Sequence, residues 1–240
     1  KEANEHLRVL LEDAIIYYRS QLFNNKEILN YLREKRGLTD STIETFGLGY
    51  APQGYDNLLK HFLPKGYSEQ ELIDAGLLSI RDEDAARNTG LDTAGERRLL
   101  DHQIRNSQHA ARIYDKFRNR IMFPIRDENG KMAGFGARIV DPNDIPKFLN
   151  SPETPIFTKG HLLYGLDSAR KPIRAVDQAV IVEGYLDVIA LHQAGYENVV
   201  SPMGTALTED QLRLLKKSSR RIVLALDPDT AGQKAVLRGL

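Results

Sequence analysis

Residues 179–188 read AVIVEGYLDV, an apolar run broken by two acids four positions apart with a glycine between them. A continuous apolar stretch of this kind is what a strand buried on both faces requires, and Glu183 marks the point where burial must stop. Gly184 permits a tight turn, after which residues 186–194 carry helical character until Gly195 ends it. The same alternation continues downstream, with a strand over 198–201, a helix over 208–217 and another apolar strand over 221–226. Alternating strands and helices predict a parallel sheet with right-handed crossovers. Open sheets of this type bind ligands beyond the carboxyl ends of their strands. Glu183 and Asp227 each fall at such an end.

Asp229 lies two residues after Asp227, and Pro228 biases the residue before it toward extended backbone, so both carboxylates point the same way. Asp187 falls in the first turn of the helix after Glu183, where it serves either as a helix-start charge or as a supporting acid. Glu183, Asp227 and Asp229 thus reach one edge of one sheet from separate elements. Oxygen ligands alone suit Mg²⁺, which keeps waters and binds few carboxylates together with substrate phosphates. The chain has no cysteine and its six histidines are scattered, so a thiolate zinc site is excluded and any metal is expected on oxygen.

Upstream the period differs. Leu7, Leu10, Leu11, Ala14, Ile15, Tyr18 and Leu22 recur at three and four, which predicts an amphipathic helix. A second helix is expected over 26–36, ending at Gly37, with short helices near 41–46 and 55–62 and a capping box from Ser68 to Glu71. Residues 1–78 therefore read as a small helical unit. Residues 81–112 are polar and lack a sustained period, the pattern of a mobile insertion or a weak surface helix. Residues 119–140 predict a β-hairpin around Asp127-Glu128-Asn129-Gly130. The Pro-rich segment 141–160 reads as an ordered loop. The expected architecture is α/β within an α+β whole: a helical and hairpin unit over 1–174, then a Rossmann-like parallel sheet over 175–240.

Basic and acidic residues balance at 33 each, but residues 112–174 hold 12 cations against 7 acids. Arg118, Arg120, Arg138, Lys147 and Lys159 lie there with Phe117, Phe148 and Tyr164 interleaved, as a surface tracking a single-stranded nucleic-acid backbone requires. Each residue also has an ordinary reading: Arg138 and Arg120 pair with nearby acids, and Phe117 or Phe148 belongs to the core. The apolar runs are too short to cross a bilayer, which predicts an intracellular protein with no membrane partner.

EGYLD at 183–187 with DPDTAG at 227–232 resembles the TOPRIM pattern of primases, topoisomerases and related nucleases. KFRNRIMFPI at 116–125, GFGAR at 134–138, PKFLNSPET at 146–154, KGHLLYGL at 159–166 and SPMGTALT at 201–208 resemble, in that order, bacterial replicative primases of the DnaG type. The resemblance implies synthesis of short RNA primers from ribonucleoside triphosphates on a single-stranded DNA template, using Mg²⁺ or Mn²⁺, in the bacterial cytoplasm. It implies Glu183, Asp227 and Asp229 as metal ligands with Asp187 in support. Arg118, Arg120, Arg138, Lys147, Asn150 and Lys159 would hold template and nucleotide. The family's zinc module, the remainder of its TOPRIM sheet and its helicase-binding C-terminal region have no counterpart among these residues. The expectation is therefore a polymerase-core fragment with a truncated TOPRIM unit. Alternatives are a single-stranded DNA-binding fragment without catalysis, or another TOPRIM nuclease or topoisomerase.

Overall fold

The computed structural model describes residues 2–80, 113–204 and 207–227. The polar segment 81–112 and Asp229 lie outside the described residues.

The chain opens with α1 (Glu2–Asn24), then α2 (Lys26–Asn30), which widens into a π turn over Tyr31–Lys35. Asn25 caps α2 by accepting the N–H of Ile28, and Thr39 does the same for α3 (Asp40–Thr45). Strand β1 (Gly49–Ala51), α4 (Asn57–Phe62) and α5 (Glu69–Asp74) follow, the last with the reciprocal Ser68–Glu71 capping box. Two short strands the sequence pattern did not signal, β2 (Leu78–Ile80) and β3 (Ile113–Asp115), pair antiparallel.

The predicted hairpin forms as β4 (Arg120–Arg126) and β5 (Met132–Ile139). It lies in a four-stranded sheet of order β1-β4-β5-β6, where β6 (Phe148–Asn150) is a strand inside the segment expected to be loop. The Pro-rich composition hid three residues that pair with β5. Nearly every hairpin residue is buried because both faces are covered. Met122, Phe135 and Ala137 pack toward the apolar stripe of α1, while Ile121, Phe123 and Ile125 pack with residues from the second half of the chain.

That second half begins with β7 (Leu163–Tyr164) and α6 (Leu166–Val176). The sequence reading did not anticipate α6. Pro172 lies inside it and interrupts the pattern, yet Leu166, Ala169 and Ile173 form a buried stripe at helical spacing. The expected division at 174/175 falls within this helix. Then come β8 (Gln178–Ile181), α7 (Tyr185–Gln193), β9 (Val199–Pro202), α8 (Glu209–Lys216) and β10 (Arg221–Leu224). The sheet order is β10-β8-β9-β7, with β8 parallel to both β10 and β9 and β7 antiparallel to β9. α6 and α8 contribute Ile173 and Leu215 to one cluster on this sheet. α7 packs on the other face, its Val188 and Ile189 meeting Phe123 and Ile125 of the hairpin. One continuous core therefore joins the two sheets. No helix among the described residues is long and apolar enough to cross a membrane.

Candidate functional site

The two acids at the sheet edge are neighbours because their strands are. β8 and β10 pair from Gln178 opposite Arg221 to Ile181 opposite Leu224, and the ladder continues as the N–H of Ala225 donates to the carbonyl of Ile181 at 2.8 Å. Two residues on, the N–H of Asp227 donates to Glu183 Oε1 at 3.1 Å. Both side chains are exposed at the carboxyl edge. Ser201 on β9 donates its hydroxyl to the carbonyl of Glu183 at 2.6 Å, which fixes the turn from the third strand. Asp187 takes the helix-start role: its Oδ2 accepts the N–H of Gly184 at 3.0 Å. Among the described residues no three acids or histidines gather into a cluster able to hold a metal ion.

Behind the acids, Tyr185 is buried and joins the sheets. Its ring stacks on Phe123 with centroids 5.1 Å apart and meets Tyr164 edge-on at 4.7 Å. Burial raises its pKa well above the ordinary phenol value. The hydroxyl donates to Asn150 Oδ1, and Asn150 Nδ2 donates to the carbonyl of Met203 at 3.1 Å. Asn150 is thus committed at both ends of its amide to holding β6, α7 and the turn after β9 together. Gly136 opposite Asn150 makes room for this, since a Cβ there would come within 2.5 Å of the Tyr185 ring.

The basic residues expected to form one surface divide into several places. Arg138 and Lys147 share one ring, lying 5.7 and 5.4 Å from the centroid of Phe148, which is 48% exposed. The Nε of Arg138 is buried without a hydrogen-bond partner. Its pKa is lowered first by burial and then by the charge of Arg36, while Asp187 pulls the other way. Arg36 is a candidate site residue that the sequence reading did not include. The π turn presents it toward Arg138, and its Nε donates to the Tyr31 hydroxyl at 2.8 Å. Nothing in the helical periodicity that ends at Gly37 announces a five-residue turn.

Lys159 lies in a 3₁₀ turn, Lys159–His161, with its side chain against Gly204. Arg118 packs over Tyr55 and Tyr114 at 4.8 and 5.1 Å and donates to the carbonyl of Asp115 at 2.7 Å. Arg120 departs from the expectation: it is 6% exposed and donates to the carbonyl of Pro146 at 2.8 Å. In the register of the hairpin Arg120 opposes Ile139 while Arg138 opposes Ile121, so the two arginines point to opposite faces. Phe117 and Tyr164 are likewise core residues, which leaves Phe148 as the exposed ring of the three. Asp115 is a buried carboxylate that accepts the N–H groups of Leu58 and Leu59 at 2.9 and 3.4 Å, and burial pushes its pKa up to about 6.

Comparison with known proteins places this arrangement. The family described as DNA primase catalytic core, N-terminal domain, matches residues 17–91 and 85–170, and the Toprim domain family matches 177–240. A DNA primase from Deinococcus radiodurans is 45% identical over 228 residues, covering 95% of this chain and 35% of that protein. One from Clostridium acetobutylicum is 41% identical over 239 residues, covering 100% of this chain and 35% of its own length. A solved structure of the DnaG primase catalytic domain bound to single-stranded DNA matches with a TM-score of 0.78 at 36% identity, over 99% of this chain and 66% of that one. The chain spans about a third of the length of these curated relatives.

Proposed function

Because the chain belongs to the family of DnaG primase catalytic cores, we propose that it carries the nucleotidyl-transfer site of a primase, which makes short RNA primers on single-stranded DNA from ribonucleoside triphosphates. The observation that carries this reading is the pairing of Glu183 and Asp227 at the carboxyl edge of adjacent parallel strands, joined through the Asp227 N–H. Two exposed carboxylates in a chain without cysteine, and with no histidine in contact with them among the described residues, fit a hard divalent cation, Mg²⁺ or Mn²⁺. Glu183 and Asp227 would hold it, with Asp229 as a third ligand. When bound, the cation supplies positive charge for a triphosphate and acidity for an attacking 3′-hydroxyl.

The chain's own groups do the positioning. Asp187 holds the start of α7 and offsets a small part of the effect of burial and of Arg36 on Arg138. Arg138, Lys147 and Arg36 offer cations for phosphates close to the Phe148 ring, on which a base can stack. Arg118 and Lys159 offer further cations at separate places, beside Tyr55 and beside Gly204, and Asn150 acts through Tyr185 by holding the sheets in register. Arg120 supports the loop at Pro146. The wider reading includes a replicative helicase as partner through a region outside this chain, and residence in the bacterial cytoplasm.

The test is primer synthesis on a single-stranded template with labelled ribonucleotides by Glu183→Gln and Asp227→Asn variants. Each is expected to lose roughly a hundredfold or more, as removal of charge stabilisation in a transition state does. Undiminished synthesis would overturn the assignment.

A further inference from the structure

The parallel sheet has a second edge. Asp177 and the loops 194–198 and 217–220 precede β8, β9 and β10, and because these strands are parallel neighbours the three connections stand side by side at the amino end. Four residues at ~3.3 Å each put this edge about 13 Å from the carboxyl edge.

Cations outnumber acids there, with Glu128, Asp177 and the exposed Glu197, which lines a cleft with Lys171, as the acids. Residues 216–221 read KKSSRR, and α6 adds Arg170, Lys171 and Arg174. The two sources form one surface: Arg170 donates to the carbonyl of Glu128 at 2.9 Å, and Lys217 pairs with the carboxylate of the same residue at 3.6 Å. Some of these cations are structural. Arg221 donates to the carbonyls of Val176 and Asp177 at the end of α6, and Arg220 holds the Asp177 carboxylate at 2.8 Å. Lys171, Arg174 and Lys216 are exposed and form no ion pair among the described residues. A cation in the last turn offsets a helix dipole; that accounts for Arg174 and Lys216 but not for Lys171 or the rest of the run. Before β9, at the same edge, Tyr196 is 62% exposed.

We infer that this amino edge is a second contact for single-stranded nucleic acid, with backbone phosphates on Lys171, Arg174 and Lys216 and a base stacked on Tyr196. Unpaired lysine and arginine side chains track a phosphate backbone, and an exposed ring adds sequence-tolerant stacking. A duplex, whose bases are already stacked, has nothing to offer Tyr196. The inference is independent of catalysis at the carboxyl edge.

Fluorescence anisotropy with a dye-labelled 24-mer of dT tests it. The combined variant Lys171→Ala, Arg174→Ala, Lys216→Ala is expected to bind about tenfold more weakly, with the slope of log affinity against log salt reduced by about two. Tyr196→Ser alone is expected to weaken binding by roughly five- to tenfold with the salt slope unchanged. A labelled 4-mer, too short to engage both edges at once, should be weakened by the variants less than the 24-mer is. Wild-type affinity and slope for the 24-mer in the combined variant would overturn the inference. So would equal weakening for both lengths, which signals a diffuse field, or displacement of the 24-mer by poly-glutamate as readily as by unlabelled dT, which assigns the edge to an acidic protein.

Discussion

The two faces of the hairpin are built from alternate residues of the same strands and do different work. On one face Met122, Phe135 and Ala137 meet α1, and Arg120 is sealed beneath the Pro146 carbonyl. On the other, Phe123 and Gly136 receive Tyr185, and Arg138 emerges beside Phe148. Chemical type does not separate the arginines, since both are strand residues of a basic segment. Strand parity does: one is sealed on the α1 face and the other lies beside the exposed Phe148 ring because the register places them so.

The sharpest way to break this comparison is to damage each face in turn. Phe135→Ala empties a fully buried ring from the α1 face and is expected to cost about 3–5 kcal/mol in unfolding free energy. In the fraction that stays folded, primer synthesis should be retained. Gly136→Ala drives a methyl into Tyr185 and is expected to cost about 1–3 kcal/mol, but with synthesis falling further than stability explains, because the shift reaches α7 and Asn150. Denaturant melts alongside single-turnover synthesis separate the two, and equal ratios of activity to folded fraction would erase the distinction.

A pH titration gives the next largest effect. Asp115, buried on the α1 side of the hairpin sheet, titrates near 6 in the folded chain, above its ordinary value near 3.8. The folded state therefore binds this proton more tightly than the unfolded chain. The resulting stabilisation is fully present below about pH 4 and is lost as pH rises through about 6; the linkage amounts to roughly 2–3 kcal/mol. Asp115→Asn should flatten thermal stability across that window, and an unchanged profile would show that other groups set it.

The smallest effects come from the arginines themselves. Arg120→Ala is expected to lower stability by about 1–2 kcal/mol and to leave the salt dependence of single-stranded DNA binding as it was. Arg138→Ala should do the reverse, with melting nearly unchanged and the salt slope reduced by about 0.7. Matching behaviour of the two variants would dissolve the division between faces.

These contrasts also show where sequence reading succeeds and stops. The stretch around Glu183 was legible because burial, turn and acid succeed one another along the chain, and the Asp227 strand repeats the pattern. Register was not legible. The turn at 127–130 and an irregularity between Ile125 and Arg126 decide which arginine faces which side, and one residue of slip reverses every assignment. α6 was hidden because Pro172 argues locally against a helix that tertiary packing of Leu166, Ala169 and Ile173 supports. Arg36 enters the site through a π turn, whose wider period leaves no repeat to detect. The ordinary reading as core holds for Phe117 and fails for Phe148, which is 48% exposed; Tyr164 is buried as well.

The hydrogen bond from Asp227 to Glu183 closes across 44 residues of chain. On a ribosome the hairpin and α7 can find one another while β10 is still inside the exit tunnel, since domains take shape from the amino end as they are made. Glu183 then waits at an open sheet edge until residue 227 emerges. The paired acids are therefore a late product of synthesis: in a nascent chain the hairpin and its packing on α7 come first, and the two-carboxylate edge follows only once β10 has joined the sheet.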